Sequence, residues 1–91
     1  MGILLLKEVI PITIGQAVRE RIIELCREHG ISINKLSDMS GVTQSTVNNI
    51  VSGRNNSATV ATIKKLCDGL GITIQDFFNS DLFLSLEQEI K

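Results

Sequence analysis

Between Ile33 and Ser52 the chain has room for two short helices and only a few residues to join them. Ser32 is suited to cap the first, over Ile33–Ser40, because a hydroxyl oxygen can accept one of the free N–H groups of a first helical turn. Leu36 would point inward from it. Gly41 ends this helix and supplies the positive φ that a tight turn demands. Thr43 then starts a second helix, about Gln44–Ser52, with Val47 and Ile50 three residues apart as its buried pair. Helices joined this closely must cross steeply. A steep crossing calls for a small residue, and Ser37 is small. Val42 is placed to plug the turn.

The flanking sequence supplies the rest of a helical domain. Thr13 and Gln16 make a Thr-x-x-Gln capping box ahead of a helix starting at about Ile14. Val18, Ile22, Leu25 and Cys26 share one of its faces, and His29 and Gly30 close it. After the polar loop Arg54-Asn55-Asn56-Ser57, Thr59 caps a fourth helix in which Val60, Ile63, Leu66, Cys67 and Leu70 recur at three and four residues. Asp68-Gly69-Leu70-Gly71 ends that helix. Thr73 caps a short fifth one holding Ile74, Phe77 and Phe78. Ser80 is read as the cap of a sixth, with Leu82, Phe83, Leu86 and Ile90 on one side. The apolar run Ile3–Ile10 is expected to be extended or a strand, separated from the first helix by Pro11. The domain layout is therefore an extension at 1–12, a helical domain at 13–79 and a helical tail at 80–91.

Composition agrees with one small all-α domain. Ninety-one residues fit a single modest core, and Phe supplies all three aromatics, so Ile, Leu and Val must fill it. Cys26 and Cys67 are too few for a disulfide framework or a cysteine-rich metal site. Lying among apolar residues, they read as core thiols of a reducing cytoplasm. The single histidine, His29, excludes a multi-histidine metal site, and no cofactor motif is present. Met1–Leu6 lacks the charged region and cleavage pattern of a signal peptide, and no stretch approaches a membrane span. No Ser/His/Asp pattern, Gly-rich phosphate loop or paired-carboxylate helix suggests an enzyme. Asp76 and Asp81, on either side of Phe77 and Phe78, read as solvated surface.

The net charge of −1 conceals an asymmetry. Residues 1–29 are neutral overall. Residues 30–65 carry Lys35, Arg54, Lys64 and Lys65 against Asp38, for +3, and residues 66–91 carry −4. The middle is basic and the tail acidic, as expected of a surface for phosphate backed by an acidic face. The outward face of the second short helix is more telling. A solvated helix face is usually rich in Glu and Lys, whereas this one offers Thr43, Gln44, Ser45, Thr46, Asn48 and Asn49, all polar and uncharged. Gln and Asn each present a donor beside an acceptor, the pattern that matches adenine N6 and N7 in the major groove of DNA.

With these residues in view, Ile31–Phe78 resembles the Cro/phage-repressor class of helix-turn-helix domains, also called the XRE family. The matching stretches are Ile31-Ser32-Ile33-Asn34-Lys35-Leu36-Ser37, Ser40-Gly41-Val42-Thr43-Gln44-Ser45-Thr46-Val47, Ser52-Gly53-Arg54 and Leu70-Gly71-Ile72-Thr73-Ile74. The resemblance implies a five-helix lambda-repressor-like bundle whose third helix enters the major groove. It implies that Gln44, Ser45 and Asn49 face base edges, with Asn48 beside them. Ser32, Lys35, Thr43, Thr46, Arg54 and Asn55 would approach the DNA backbone. The sequence departs from the family pattern at Ile33, where Gln is common, at Ser37, where Ala is common, and at Ala58, where Pro is common.

The expected partner is double-stranded DNA, bound by a homodimer, since such repressors commonly engage two half-sites related by two-fold symmetry. Ile3–Ile10 and Leu82–Ile90 are the candidate dimer contacts. The expected function is a transcriptional regulator, most often a repressor. The alternative is a helix-turn-helix module for protein contact, such as the antitoxin half of a toxin–antitoxin pair, with Asp81–Ile90 as its contact surface.

Overall fold

In the computed structural model, residues 11–54 and 58–90 are described. They form five α-helices: α1 (Ile14–His29), α2 (Ile33–Ser40), α3 (Gln44–Val51), α4 (Val60–Leu70) and α5 (Ile74–Phe78). A single 3-10 turn, η1 (Asp81–Phe83), follows. The run Ile3–Ile10 and the loop residue Asn55 lie outside the described residues.

Each helix starts where a hydroxyl residue stands to cap it. Thr13 accepts the Gln16 N–H at 3.1 Å, and the Gln16 side chain accepts the Thr13 N–H at 3.0 Å. Ser32, Thr43, Thr59 and Thr73 do the same work for α2 to α5. The other ends close on Gly30, Gly41 and Gly71 in left-handed conformation, with φ of 64°, 68° and 72°. At these positions a side chain would strain the backbone.

The apolar faces meet in one core of Val18, Ile22, Leu25, Cys26, Leu36, Val47, Ile50, Ile63, Leu66, Cys67, Leu70 and Phe77. A fully buried side chain of this size stabilises the fold by about 1.5–3 kcal/mol relative to exposure, so most of the helical stability arises from this contact. α2 packs chiefly on α4, α3 lies against α2 and α1, and α4 supports α5. Val60, expected on the core face, is 76 % exposed. It is the first residue of α4, and the inward stripe begins only at Ile63.

The stretch Asp68-Gly69-Leu70-Gly71 does end α4, and Gly69 has a further job inside the helix. α4 runs through it to Leu70 and ends on Gly71. A methyl group at Gly69 would lie 3.0 Å from the Met39 carbonyl and nearly on top of Ser40 Oγ. Its bare backbone therefore lets α4 approach the C-terminal end of α2. Ser40 Oγ is buried at that crossing without a hydrogen-bond partner.

The tail corrects the expected sixth helix. Ser80 does cap, but its Oγ accepts the Leu82 N–H at 3.2 Å and starts only a 3-10 turn. Phe83 is drawn onto Phe77 and Phe78, with ring centroids 6.4 and 4.9 Å away. Beyond it the backbone pairs with the segment before α1. Ile12 donates its N–H to Ser85 at 3.3 Å and accepts the Glu87 N–H at 2.9 Å, forming a parallel bridge between Ile12 and Leu86. A helix this short gains little by itself, and docking Phe83 and Leu86 outweighs it.

Arg21 is the unexpected member of the interior. It is 8 % exposed, and its Nε and Nη2 donate to the carbonyls of Phe77 and Asp76 at 2.6 and 2.7 Å. Its Nη1 pairs with Glu24 at 2.5 Å. The guanidinium thus satisfies carbonyls of the last turn of α5 while joining α1 to it.

Candidate nucleic-acid interface

The two short helices and their turn place the candidate residues. Gly41 turns the chain, and Val42 donates its N–H back to the Ser37 carbonyl at 3.3 Å while its side chain packs on the core. Ser37 is 2 % exposed and returns its hydroxyl proton to the Ile33 carbonyl at 3.2 Å. The small residue at the crossing is therefore buried with its polar atom satisfied. Ile33 packs against the core as well. That explains an apolar residue where the family pattern often has an amide.

α3 is divided by burial. Val47 and Ile50 are buried, and Val51 packs on the core beside them. Gln44, Ser45 and Asn48 are exposed, and Thr46 and Asn49 are half-buried. At about 100° of rotation per residue, the direction opposite Val47 and Ile50 falls on Ser45. Asn48 and Asn49 flank it, and Gln44 stands at the edge in the first turn. The four candidate base readers thus share the outward side of one helix, with Asn48 more exposed than Asn49.

The candidate backbone contacts surround that face. Thr43 Oγ1 accepts the Thr46 N–H at 3.3 Å and lies 2.8 Å from Thr46 Oγ1 and 3.4 Å from Ser45 Oγ. Three hydroxyls are therefore collected at the N-terminus of α3. Ser32 caps α2 by accepting the Lys35 N–H at 3.0 Å, and both residues are exposed. At the other end of α3, Ser52 Oγ donates to the Asn49 carbonyl at 3.3 Å and accepts the Arg54 N–H at 3.5 Å. Arg54 is exposed there.

Charge is sorted in the same way. Neither α2 nor α3 has an acidic residue in its first turn. From Met39 to Cys67 the sequence contains no Asp or Glu at all. Free N–H groups at a helix N-terminus attract anions, and no acid in either first turn opposes them. The α5 end is the reverse. Asp76 accepts the Thr73 N–H at 3.1 Å, and that hydrogen bond is the main reason its carboxyl is held below the ordinary carboxylate range. It is a capping residue rather than idle surface.

Arg19 of α1 adds a basic side chain that the sequence did not single out. A methyl group on Gly53 would lie 2.8 Å from Arg19 Nη1, so the guanidinium reaches the exit of α3. The only sequence signal was a cation one residue before Glu20, which is not distinctive. Among the described residues, no group of three or more His, Cys, Asp or Glu could hold a metal ion, and no helix is long and apolar enough to cross a membrane. Cys26 and Cys67 are buried free thiols, and burial pushes both above the ordinary thiol range.

A family model for the Cro/C1-type HTH DNA-binding domain matches residues 21–80. The chain belongs to that family, and its fold is that of an all-α DNA-binding domain. Among solved structures it is similar to the one described as the crystal structure of the prophage Lp1 protein 11. The likeness has 40 % sequence identity and a TM-score of 0.68, covering 75 % of this chain and 90 % of that one. No curated protein matches the chain.

Proposed function

We propose that this DNA-binding protein is a sequence-specific transcriptional repressor that inserts α3 into the major groove of double-stranded DNA. One observation carries the proposal. The outward side of α3 holds only neutral amides and hydroxyls, while Val47 and Ile50 seat its inward side in the core. A helix so seated is a rigid support for groups that pair with base edges. Gln44, Ser45, Asn48 and Asn49 are assigned to bases. Ser32, Lys35, Thr43, Thr46, Arg54 and Asn55 are assigned to phosphate and sugar, where contacts fix position without reading sequence. The chain carries no catalytic role in this reading. Its buried free thiols favour a reducing cytoplasm.

A homodimer doubles the site read by so small a domain. From Phe78 to the end of the tail, Phe78, Leu84 and Ile90 are exposed, as are the acidic residues Asp81, Glu87 and Glu89. The same stretch favours the second reading, an antitoxin-like module whose tail contacts another protein. Sedimentation of the purified chain distinguishes them, because the repressor reading expects a dimer without any partner.

The direct experiment selects binding sites from random duplexes, then compares the winner with a scrambled duplex over a salt series. The proposal expects clear preference for the winner and affinity that falls as salt rises. Failure of both duplexes to bind at low salt would overturn it.

A further inference from the structure

One cation is directed away from its own helix. Arg19 is in the second turn of α1, and its contact with neighbouring Glu20 is loose, at 3.7 Å between Nε and Oε2. The other end of the guanidinium crosses to Gly53, just beyond α3. Gly53 has φ of 83°, so its backbone already disfavours a side chain. The space a side chain would fill is taken by Arg19 Nη1. Arg54 follows immediately, its Cα about 3.8 Å from that of Gly53. A guanidinium from α1 and the arginine leaving α3 are therefore brought to one end of the helix assigned to the groove, in a segment without acidic residues.

Two arginines at one end of a helix favour an anion there, and the Glu20 contact lies on the Nε side of Arg19. A guanidinium presents a planar fork of donors that matches phosphate oxygens. We infer that Arg19 is a phosphate-contacting residue that works with Arg54 to seat the DNA backbone at the exit of α3. This inference rests on the DNA-binding reading above. It adds a contact from α1, outside the helix-turn-helix unit. Arg19 adds affinity and fixes the depth of α3, and it carries no sequence preference.

The test measures wild type, Arg19→Gln, Arg54→Gln and the double variant on the selected and scrambled duplexes between about 50 and 200 mM salt, the range over which phosphate contacts are resolved. Each single variant is expected to flatten the slope of log affinity against log salt by about 0.9, and the double variant by about twice that. Affinity for both duplexes should fall by the same factor, and Arg19→Lys should retain the slope. A wild-type slope in Arg19→Gln, or loss of preference at one base pair, overturns the inference. Thermal melting of each variant is followed in parallel. Should Arg19→Gln unfold, Arg19→Ala gives the same readout with the best helix former at that site. A lower melting temperature with an unchanged slope would make Arg19 a support for the end of α3, against the inference. Absence of salt-dependent binding by wild type would instead bring down the underlying DNA-binding reading.

Discussion

Helices α3 and α5 are built alike, but the first turn of α3 is neutral and that of α5 carries an acid. Both are short, both start on a threonine, and both bury only part of their surface. Thr43 caps α3 with Thr46 as the third helical residue, leaving the first turn neutral. Thr73 caps α5 with Asp76 in that place, and the carboxylate closes a capping box. Arg21 then satisfies carbonyls at the far end of α5. In α5 the polar groups are spent on the protein itself. In α3 an acid that would strengthen the cap is missing, and that omission leaves the end proposed to face DNA attractive to phosphate. Local stability and function pull in opposite directions at the same position, and the two helices resolve the conflict differently.

The comparison can be broken at several points. Phe77→Ala should have the largest effect, about 3–5 kcal/mol of stability by denaturant unfolding, because Phe77 is completely buried. If α5 serves the fold and α3 the DNA, the fraction of this variant that remains folded should bind the selected duplex normally. Arg21→Met should cost about 3 kcal/mol, the low end for two charged hydrogen bonds of about 1.5–3 kcal/mol each, because part of the packing remains. A neutral result in unfolding experiments would show that α5 is held without that guanidinium.

The two threonines give a finer comparison. Thr43→Ala and Thr73→Ala should each cost about 1 kcal/mol of stability, as cap losses do. Only Thr43→Ala should weaken DNA binding. Equal loss of affinity in both would erase the proposed division.

The smallest effect is a pH dependence. Asp76 is held below its ordinary value of 3.8 in the folded chain, chiefly by the Thr73 N–H. Its contribution is therefore complete above that value and is lost as pH falls through the lowered one. Acid unfolding of Asp76→Asn should lack this component below about pH 4, whereas no such step arises in the first turn of α3. An acid limb unchanged by the substitution would remove Asp76 from the account.

How much of this was legible depended on whether the signal was local. Capping residues, left-handed glycines and apolar stripes act within one helix, so Thr13, Gly30, Gly41 and the pair Val47 and Ile50 could be read from spacing alone. The steep crossing could also be read, because Ser37 and Gly41 are required by a turn only a few residues long. Distant contacts could not. Arg21 looked like one charge among several on α1, and nothing nearby indicated the carbonyls of Asp76 and Phe77. The stretch that ends α4 was legible, but the packing role of Gly69 was not, because its neighbours Met39 and Ser40 belong to α2. The tail misled for a related reason. Leu82, Phe83, Leu86 and Ile90 carry a helical period, but Phe83 finds the other two phenylalanines and Leu86 finds Ile12. Of the candidate site, the outward side of α3 was legible from its residue types, whereas the reach of Arg19 to Gly53 appears only in the folded chain.

The central claim is that the outward side of α3 reads bases while its surroundings hold the backbone. It is tested most directly by measuring affinities of wild type, Gln44→Ala and Arg54→Ala for a complete set of single-base-pair variants of the selected site. Gln44→Ala should cost about 1–3 kcal/mol and relax preference at one base pair. Arg54→Ala should weaken every duplex about equally. Uniform weakening by Gln44→Ala, with relaxed preference in Arg54→Ala, would contradict it.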